Sequence, residues 1–363
     1  MTDDARWMRT ALALAERGLG RVWPNPSVGC VIVKEDALLG RARTADGGRP
    51  HAETQALAQA GTSAKGATAY VTLEPCAHHG QTGPCAEALI DAGIARVVMA
   101  LRDPDPRVDG GGVARLRRAG IAVTEGICAD EARALQDGFL RRVTVGRPSV
   151  TLKLATTLDG RIATASGESQ WITGPHARAH VHSQRARHDA IMVGAGTART
   201  DDPSLTVRGL GHRPQPVRVI VSRRLDIPLE GTLATTTEVA PVWVLHSDLA
   251  PGSRRDALAA KGVHLISCPT DMSGQIDLRG ALECLGNAGI TRLYCEGGGG
   301  LAASLLNADL VDRLDSYTAG AAIGAEGVPA LGAMGLDLLS AAPRLTLQDV
   351  RPLGQDILHR WAR

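Results

Sequence analysis

Aromatic side chains are scarce, at 2% of 363 residues with Phe139 as the lone phenylalanine, so the cores must be built from Val, Leu, Ile and Ala. No segment approaches the roughly 20 apolar residues of a membrane span. The opening MTDDARWM is acidic where a secretory signal would be basic, which makes the cytoplasm the expected compartment. Basic runs are missing as well. With a formal net charge of only +2, the chain offers no electrostatic footprint for nucleic acid or a membrane surface. The seven cysteines are odd in number and irregularly spaced, which excludes a disulfide framework. Cys30, Cys128, Cys268, Cys284 and Cys295 lie mostly in apolar or strand-like stretches and read as small buried hydrophobes. There is no internal repeat and no low-complexity tract.

What remains is a chain long enough for two or three domains, with 44% hydrophobic residues to give each its own core. Helical spacing covers residues 4–17 up to Gly18, Ala52 to Ala60 stopped at Gly61, Pro84 to Ala92 ended by Gly93, and a helix from about Asp130. Strands are expected at Val28 to Val33, Ala69 to Leu73, Val97 to Leu101 and Ile121 to Thr124, with a loop rich in Gly and Arg after the first. The polar stretch Thr144 to Ser149 marks a domain boundary, giving units 1–146 and 147–363. The second unit alternates again, with strands at Val150 to Leu154, Ala190 to Val193, Val217 to Val221, Val242 to Leu245, Val263 to Ile266 and Arg292 to Cys295. Both halves are of α/β class.

One constellation carries chemistry. Pro50-His51-Ala52-Glu53 supplies an imidazole and a carboxylate, and Pro75-Cys76 and Pro84-Cys85 supply two thiolates. Three ligands, His51, Cys76 and Cys85, suit a zinc ion that keeps an open position for water, and Glu53 is left over as proton carrier. Residues two apart diverge by about 200° inside a helix but can converge at its start, and Pro50 marks such a start. Cys76 and Cys85 are read at strand-to-helix junctions, where the helix dipole lowers a thiol pKa. His78 and His79 are rival ligands or substrate contacts. Zinc deaminases of nucleosides and nucleic acids show Pro-Cys-x-x-Cys, whereas eight residues, AHHGQTGP, separate the cysteines here.

In the second half, the strand Arg292 to Cys295 runs into Glu296 and four glycines, with a helix expected from Leu301. Amides at that start suit a phosphate or pyrophosphate, although a plain tight turn has the same composition. Trp171, in the polar context GESQWITG, suits ring stacking as well as a core. Arg185, Arg187 and Arg208 suit a phosphate, with some of them facing solvent instead.

The runs PNPSVGCVIV, PHAE and TLEPCAHHGQTGPC, followed by TLKLATTLDGRIAT, GESQWITG, DAIMVGAGT, DDPSLTVR and CEGGGGL, resemble the bifunctional riboflavin-biosynthesis deaminase/reductase family across most of the chain. The resemblance implies a cytidine-deaminase-like zinc domain followed by a dihydrofolate-reductase-like α/β domain. It implies zinc on His51, Cys76 and Cys85, Glu53 as proton shuttle, and Asn25 against the substrate. In the second half it puts substrate contacts on Ser169, Arg185, Leu205, Arg208 and Glu296. NADPH contacts fall on Ala155, Trp171, Thr197, Asp201 and the segment Gly298, Gly299, Gly300, Leu301, Ala302, Ala303 and Ser304. The implied reactions are deamination of 2,5-diamino-6-(5-phosphoribosylamino)pyrimidin-4-one and NADPH-dependent reduction of the ribosyl group of 5-amino-6-(5-phosphoribosylamino)uracil to ribityl. The proton donor of the second step is left between Asp201 and Glu296, and Arg223 and Arg224 are weak suggestions for the cofactor 2′-phosphate.

The chain departs from the family pattern at Gln81 and Gly83, where an arginine and a proline are usual, at Thr157 for a common serine, at Arg313 for an acidic residue, and over Gly320 to Gly332. The partner is a small phosphorylated pyrimidine, and a homo-oligomer stays open. Rival readings are an RNA-acting deaminase, which lacks its basic groove and Cys-x-x-Cys spacing here, a binding protein with a four-ligand structural zinc, and an enzyme with one active half.

Overall fold

The computed structural model describes residues 3–77, 83–106 and 108–363. His78, His79, Gln81 and Thr82 lie outside them. By contacts the chain divides into two compact units, Met1–Gly146 and Arg147–Arg363, each with its own sheet.

The first unit runs α1 (Asp3–Glu16), β1 (Gly29–Lys34), β2 (Ala37–Arg43), α2 (Ala52–Ala60), β3 (Thr68–Val71), α3 (Cys85–Asp91), β4 (Arg96–Met99), α4 (Gly111–Arg118), β5 (Ala122–Glu125) and α5 (Ala129–Val145). The sheet order is β2-β1-β3-β4-β5. Its β3, β4 and β5 are parallel, and β1 is antiparallel to both neighbours. The stretch expected as a loop after β1 contains β2. Glu35 and Asp36, at φ 50° and 62°, make the tight turn between them without a glycine, so the usual hairpin signature is missing from the sequence.

Glycines let two helices come close to this sheet. A Cβ on Gly29 would lie 1.9 Å from Ala11 O in α1, and one on Gly40 would lie 2.1 Å from Ala56 O in α2. Gly40 pairs with Ile32, three residues along β1 from Gly29, so the two helices cover opposite faces. That is why β1 is buried over five of its six residues. Val31, Ile32, Val71, Val98, Leu89, Leu116 and Phe139 belong to one core.

The second unit runs β6 (Ser149–Thr157), β7 (Arg161–Ala163), α6 (Pro175–Arg185), β8 (Ala190–Gly194), α7 (Ala195–Thr200), β9 (Val217–Val221), α8 (Thr232–Thr235), β10 (Val242–Ser247), α9 (Gly252–Ala260), β11 (His264–Cys268), α10 (Leu278–Asn287), β12 (Arg292–Cys295), α11 (Gly299–Asn307), β13 (Arg313–Ala319), β14 (Val328–Pro329), β15 (Thr346–Leu353) and β16 (Asp356–Ala362). The main sheet has the order β11-β10-β9-β8-β12-β6-β13-β16-β15. It is parallel from β11 to β13, then antiparallel through β16 and β15. The last three strands of this sheet were not anticipated. Most residues of β15 are exposed and β13 is rich in polar residues, so neither shows a continuous apolar run.

Because β12 inserts between β8 and β6, the carboxyl ends of strands from distant parts of the sequence lie side by side. An open parallel sheet places its ligand crevice at such a point. Among the described residues, no helix is long and apolar enough to cross a membrane.

Candidate active sites

In the first unit, the chain enters α2 through a cis Arg49–Pro50 bond, and His51 is the N-cap with extended φ −69° and ψ 161°. Cys85 opens α3 behind Pro84, and Cys76 lies in the irregular segment after β3. Their ligand atoms fall within 4.8 Å of one another. His51 Nδ1 is 3.3 Å from Cys85 Sγ and 3.6 Å from Cys76 Sγ. A tetrahedral ion with bonds of about 2.1 Å to nitrogen and 2.3 Å to sulfur sets these edges at about 3.6 Å, so the donors are spaced for zinc. Among the described residues the cluster has three members, as a hydrolytic zinc centre requires.

The charges follow from that crowding. A hydrogen bond from the Cys85 thiol, acting against burial, draws the Cys76 thiol down to about 4. Cys85 is pushed up instead, first by its contact with Cys76 and then by burial, which corrects the expectation that both thiols would be lowered. Only Cys85 sits at a helix start, and two adjacent thiolates repel until a dication joins them. His51 is raised, chiefly by its hydrogen bond with Cys76. Glu53 is 3% exposed; burial first and Cys76 second push it up to about 7. It touches Cys85 through its side chain. Asn25 lies against the segment leading to His51: a Cβ on Gly48, at φ 87°, would fall 1.9 Å from Asn25 Nδ2.

In the second unit, Arg185 and Glu296 meet from 111 residues apart. Arg185 Nε donates to Glu296 Oε1 at 2.6 Å and Nη2 to Oε2 at 3.0 Å, while Nη1 donates to Thr206 O at 2.9 Å. The fork read as a phosphate grip is thus committed to a carboxylate. That contact also ties the loop carrying Leu205 and Arg208 to α6. Leu205 is buried at φ 49°, and Arg208 N donates to His182 Nδ1 at 3.2 Å. Arg187 is placed at the other end of β12, where its carbonyl accepts from Arg292 Nε at 3.2 Å. Burial would raise Glu296, but Arg185 and then Lys153 outweigh it and hold the carboxyl below its ordinary range. Burial alone raises Asp201, at the C-cap of α7.

Lys153 was missed. Its Nζ is 4.0 Å from Glu296 Oε2, and burial lowers its pKa against the pull of Glu296. The signal was a lone cation inside the apolar strand TLKLATT.

Around the glycine-rich segment, α11 begins at Gly299, two residues before the expected Leu301, with Gly298 as N-cap. Gly298 N donates to Thr197 Oγ1 at 3.3 Å, linking the ends of β12 and β8. Gly300 borders open space, and Leu301, Ala302, Ala303 and Ser304 continue the helix. Trp171 is 67% exposed, with the Arg178 guanidinium 4.7 Å from its ring centroid. Ser169 precedes it on the same loop, and Ala155 lies in β6 opposite Tyr317 of β13. A helix start with free space at Gly300 suits a phosphate, and an exposed indole suits ring stacking. Arg223 donates from Nη1 to Gly274 O at 3.0 Å, and Arg224 is exposed.

A family model described as the cytidine and deoxycytidylate deaminase zinc-binding region matches residues 1–101, and the RibD C-terminal domain model matches residues 148–359. The riboflavin biosynthesis protein RibD of Escherichia coli (strain K12) is 42% identical over 362 residues, 98% of each chain. The chain belongs to the RibD family. The solved structure of Acinetobacter baumannii RibD, form 1, has a TM-score of 0.90 at 42% identity, covering 99% of this chain and 98% of that one. A Thermotoga maritima structure described as a diaminohydroxyphosphoribosylaminopyrimidine deaminase/5-amino-6-(5-phosphoribosylamino)uracil reductase has a TM-score of 0.86 at 35% identity, with the same coverage. As a RibD chain, this protein is a bifunctional enzyme of riboflavin biosynthesis, with a cytidine-deaminase-like zinc domain and a dihydrofolate-reductase-like domain that uses NADPH.

Proposed function

We propose that the first unit deaminates 2,5-diamino-6-(5-phosphoribosylamino)pyrimidin-4-one and that the second reduces the ribosyl group of 5-amino-6-(5-phosphoribosylamino)uracil to ribityl. The observation that carries the first half is the meeting of His51, Cys76 and Cys85 around one point with Glu53 buried beside them. On this reading those three residues hold zinc. When bound, zinc supplies water that ionises near neutral pH, at a pKa of about 7. Glu53 takes one proton from the attacking water and passes it to the ring nitrogen, then carries the proton of the newly attached hydroxyl to the amino group, which leaves as ammonia. Asn25 orients the pyrimidine.

In the second unit, NADPH supplies hydride, and the protein orients it and provides the balancing proton. Gly298 to Ser304, Thr197, Trp171 and Ala155 hold the cofactor; Ser169, Leu205, Arg208 and Glu296 hold the substrate, with Arg185 acting through the Glu296 carboxylate it grips. The choice of proton donor falls on Asp201. Burial shifts Asp201 toward its protonated form, whereas Arg185 shifts Glu296 toward its ionised form. The compartment on this reading is the cytoplasm, and the partner is a small phosphorylated pyrimidine with no nucleic acid.

The test supplies the diaminopyrimidine phosphate with NADPH to the full-length protein and follows ammonia and NADPH together. Ammonia release followed by NADPH loss is expected. NADPH loss without ammonia, or ammonia release untouched by zinc removal, would overturn the assignment.

A further inference from the structure

Within the run Leu73-Glu74-Pro75-Cys76, Glu74 is the residue to which neither proposed reaction gives a role. It is charged and only 3% exposed. Its carboxylate is spent on backbone amides of the segment leading into α4. Oε1 accepts from Val113 N at 3.0 Å, and Oε2 accepts from Gly110 N at 3.2 Å and Asp103 N at 3.4 Å. Two of these amides belong to the first turn of α4, whose dipole favours an anion there.

The same helix presses on the next residue. A Cβ on Gly112 would lie 2.1 Å from Pro75 O and 3.2 Å from Glu74 Oε1, so only a glycine lets α4 sit this close. On the far side, Glu74 N donates to Leu101 O at 2.9 Å, fixing the segment to the end of β4. Cys76 is then met by α3: Ala86 N donates to Cys76 O at 3.2 Å and Cys85 N to Cys76 Sγ at 3.3 Å. Pro75, with φ restricted to about −65°, leaves little slack between Glu74 and Cys76.

We propose that Glu74, seated on the N-terminus of α4, is a positioning residue that fixes where the Cys76 thiolate stands relative to His51 and Cys85. The inference rests on the zinc reading of those three residues. Without the Glu74 carboxylate, the amides of Asp103, Gly110 and Val113 lose their acceptor, α4 backs away, and the Cys76 segment gains freedom that metal binding must remove. Partners that orient metal ligands typically contribute 10- to 100-fold in affinity, so Glu74→Gln is expected to weaken zinc by about 10-fold or more.

The experiment uses the full-length protein, with zinc affinity read by competition against a chromophoric chelator and ligand geometry read from the thiolate-to-metal absorption of the cobalt-substituted protein. Glu74→Gln removes the charge and one of the two acceptor oxygens, turning an NH2 toward backbone amides, and Gly112→Ala displaces α4 while leaving the carboxylate in place. Asp4→Asn is the control: Asp4 accepts from Arg96 at 2.8 and 2.9 Å and from Tyr70 at 2.9 Å, so it supports the same unit without touching the metal segment. Expected are weakened zinc and a shifted cobalt band in both test variants, with wild-type values for Asp4→Asn even where its Tm falls. Zinc affinity within about twofold of wild type in Glu74→Gln and Gly112→Ala, or equal loss in Asp4→Asn, overturns the proposal. A wild-type protein that binds neither metal overturns the zinc reading beneath it.

Discussion

Replacing Glu296 by Gln tests the second site most directly, because it changes one charge and almost no volume. In the native protein the two side chains are 12% and 8% exposed, and two N–H donors of Arg185 run to the two carboxylate oxygens. Glutamine keeps one acceptor, but it turns an amide NH2 toward the other guanidinium donor and leaves Lys153 and Arg185 facing each other without an anion. Removing one partner of a buried pair costs about 3–5 kcal/mol. Relief of the buried carboxylate's own desolvation and the one retained hydrogen bond argue for the lower end, about 3 kcal/mol. For a unit of this size that corresponds to a Tm drop of roughly 6–12 °C. Calorimetry on the full-length protein should show this drop in one transition only. NADPH oxidation should fall while ammonia release from the diaminopyrimidine continues. A variant that keeps its Tm within about 1 °C of wild type and still oxidises NADPH at the native rate would refute both the energetic argument and the placement of the site.

Glu53→Gln should lower ammonia release by about 10²- to 10⁴-fold with zinc still bound, measured by metal analysis beside the ammonia assay, and an active variant removes Glu53 from the mechanism. Asp312→Ala should cost about 3–5 kcal/mol in denaturant titration, because it leaves Arg147, 6% exposed, without the carboxylate it meets at 2.7 and 2.9 Å, and also takes an acceptor from Val150 N. His188 Nδ1 donates to Gln184 O at 2.7 Å and Nε2 accepts from Thr151 Oγ1 at 3.1 Å; burial first, then Arg292, hold it well below 6.5. It stays neutral in the fold but takes a proton in the unfolded chain. Its contribution is therefore complete above pH 6.5 and is lost below it, by up to about 1.4 kcal/mol per pH unit. His188→Gln should flatten that slope between pH 7.5 and 5.5, and an unchanged slope contradicts the assignment.

Much of the architecture can be read along the chain. Ala52–Ala60, Val217–Val221 and Arg292–Cys295 have the bounds that their spacing implies, because long apolar or periodic runs with a glycine or a polar break at the end leave few alternatives. β2 escaped because its turn uses Glu35 and Asp36, and β15 because an edge strand with most residues exposed carries no periodic signal.

The chemistry divides the same way. Residue types and their order along the chain specify His51, Glu53, Cys76 and Cys85 as a set, since a hydrolytic zinc needs few ligands and a proton carrier. Which thiol is shifted down, which way the Asp201 and Glu296 carboxyls shift, and what Arg185 holds are decided only in the folded protein. Those properties are set by burial and by partners brought from far along the chain, as Glu296 is to Arg185 across 111 residues and Val113 to Glu74 across 39. The chain sets which groups exist; the distances and the local dielectric that tune them exist only once the sheets have formed.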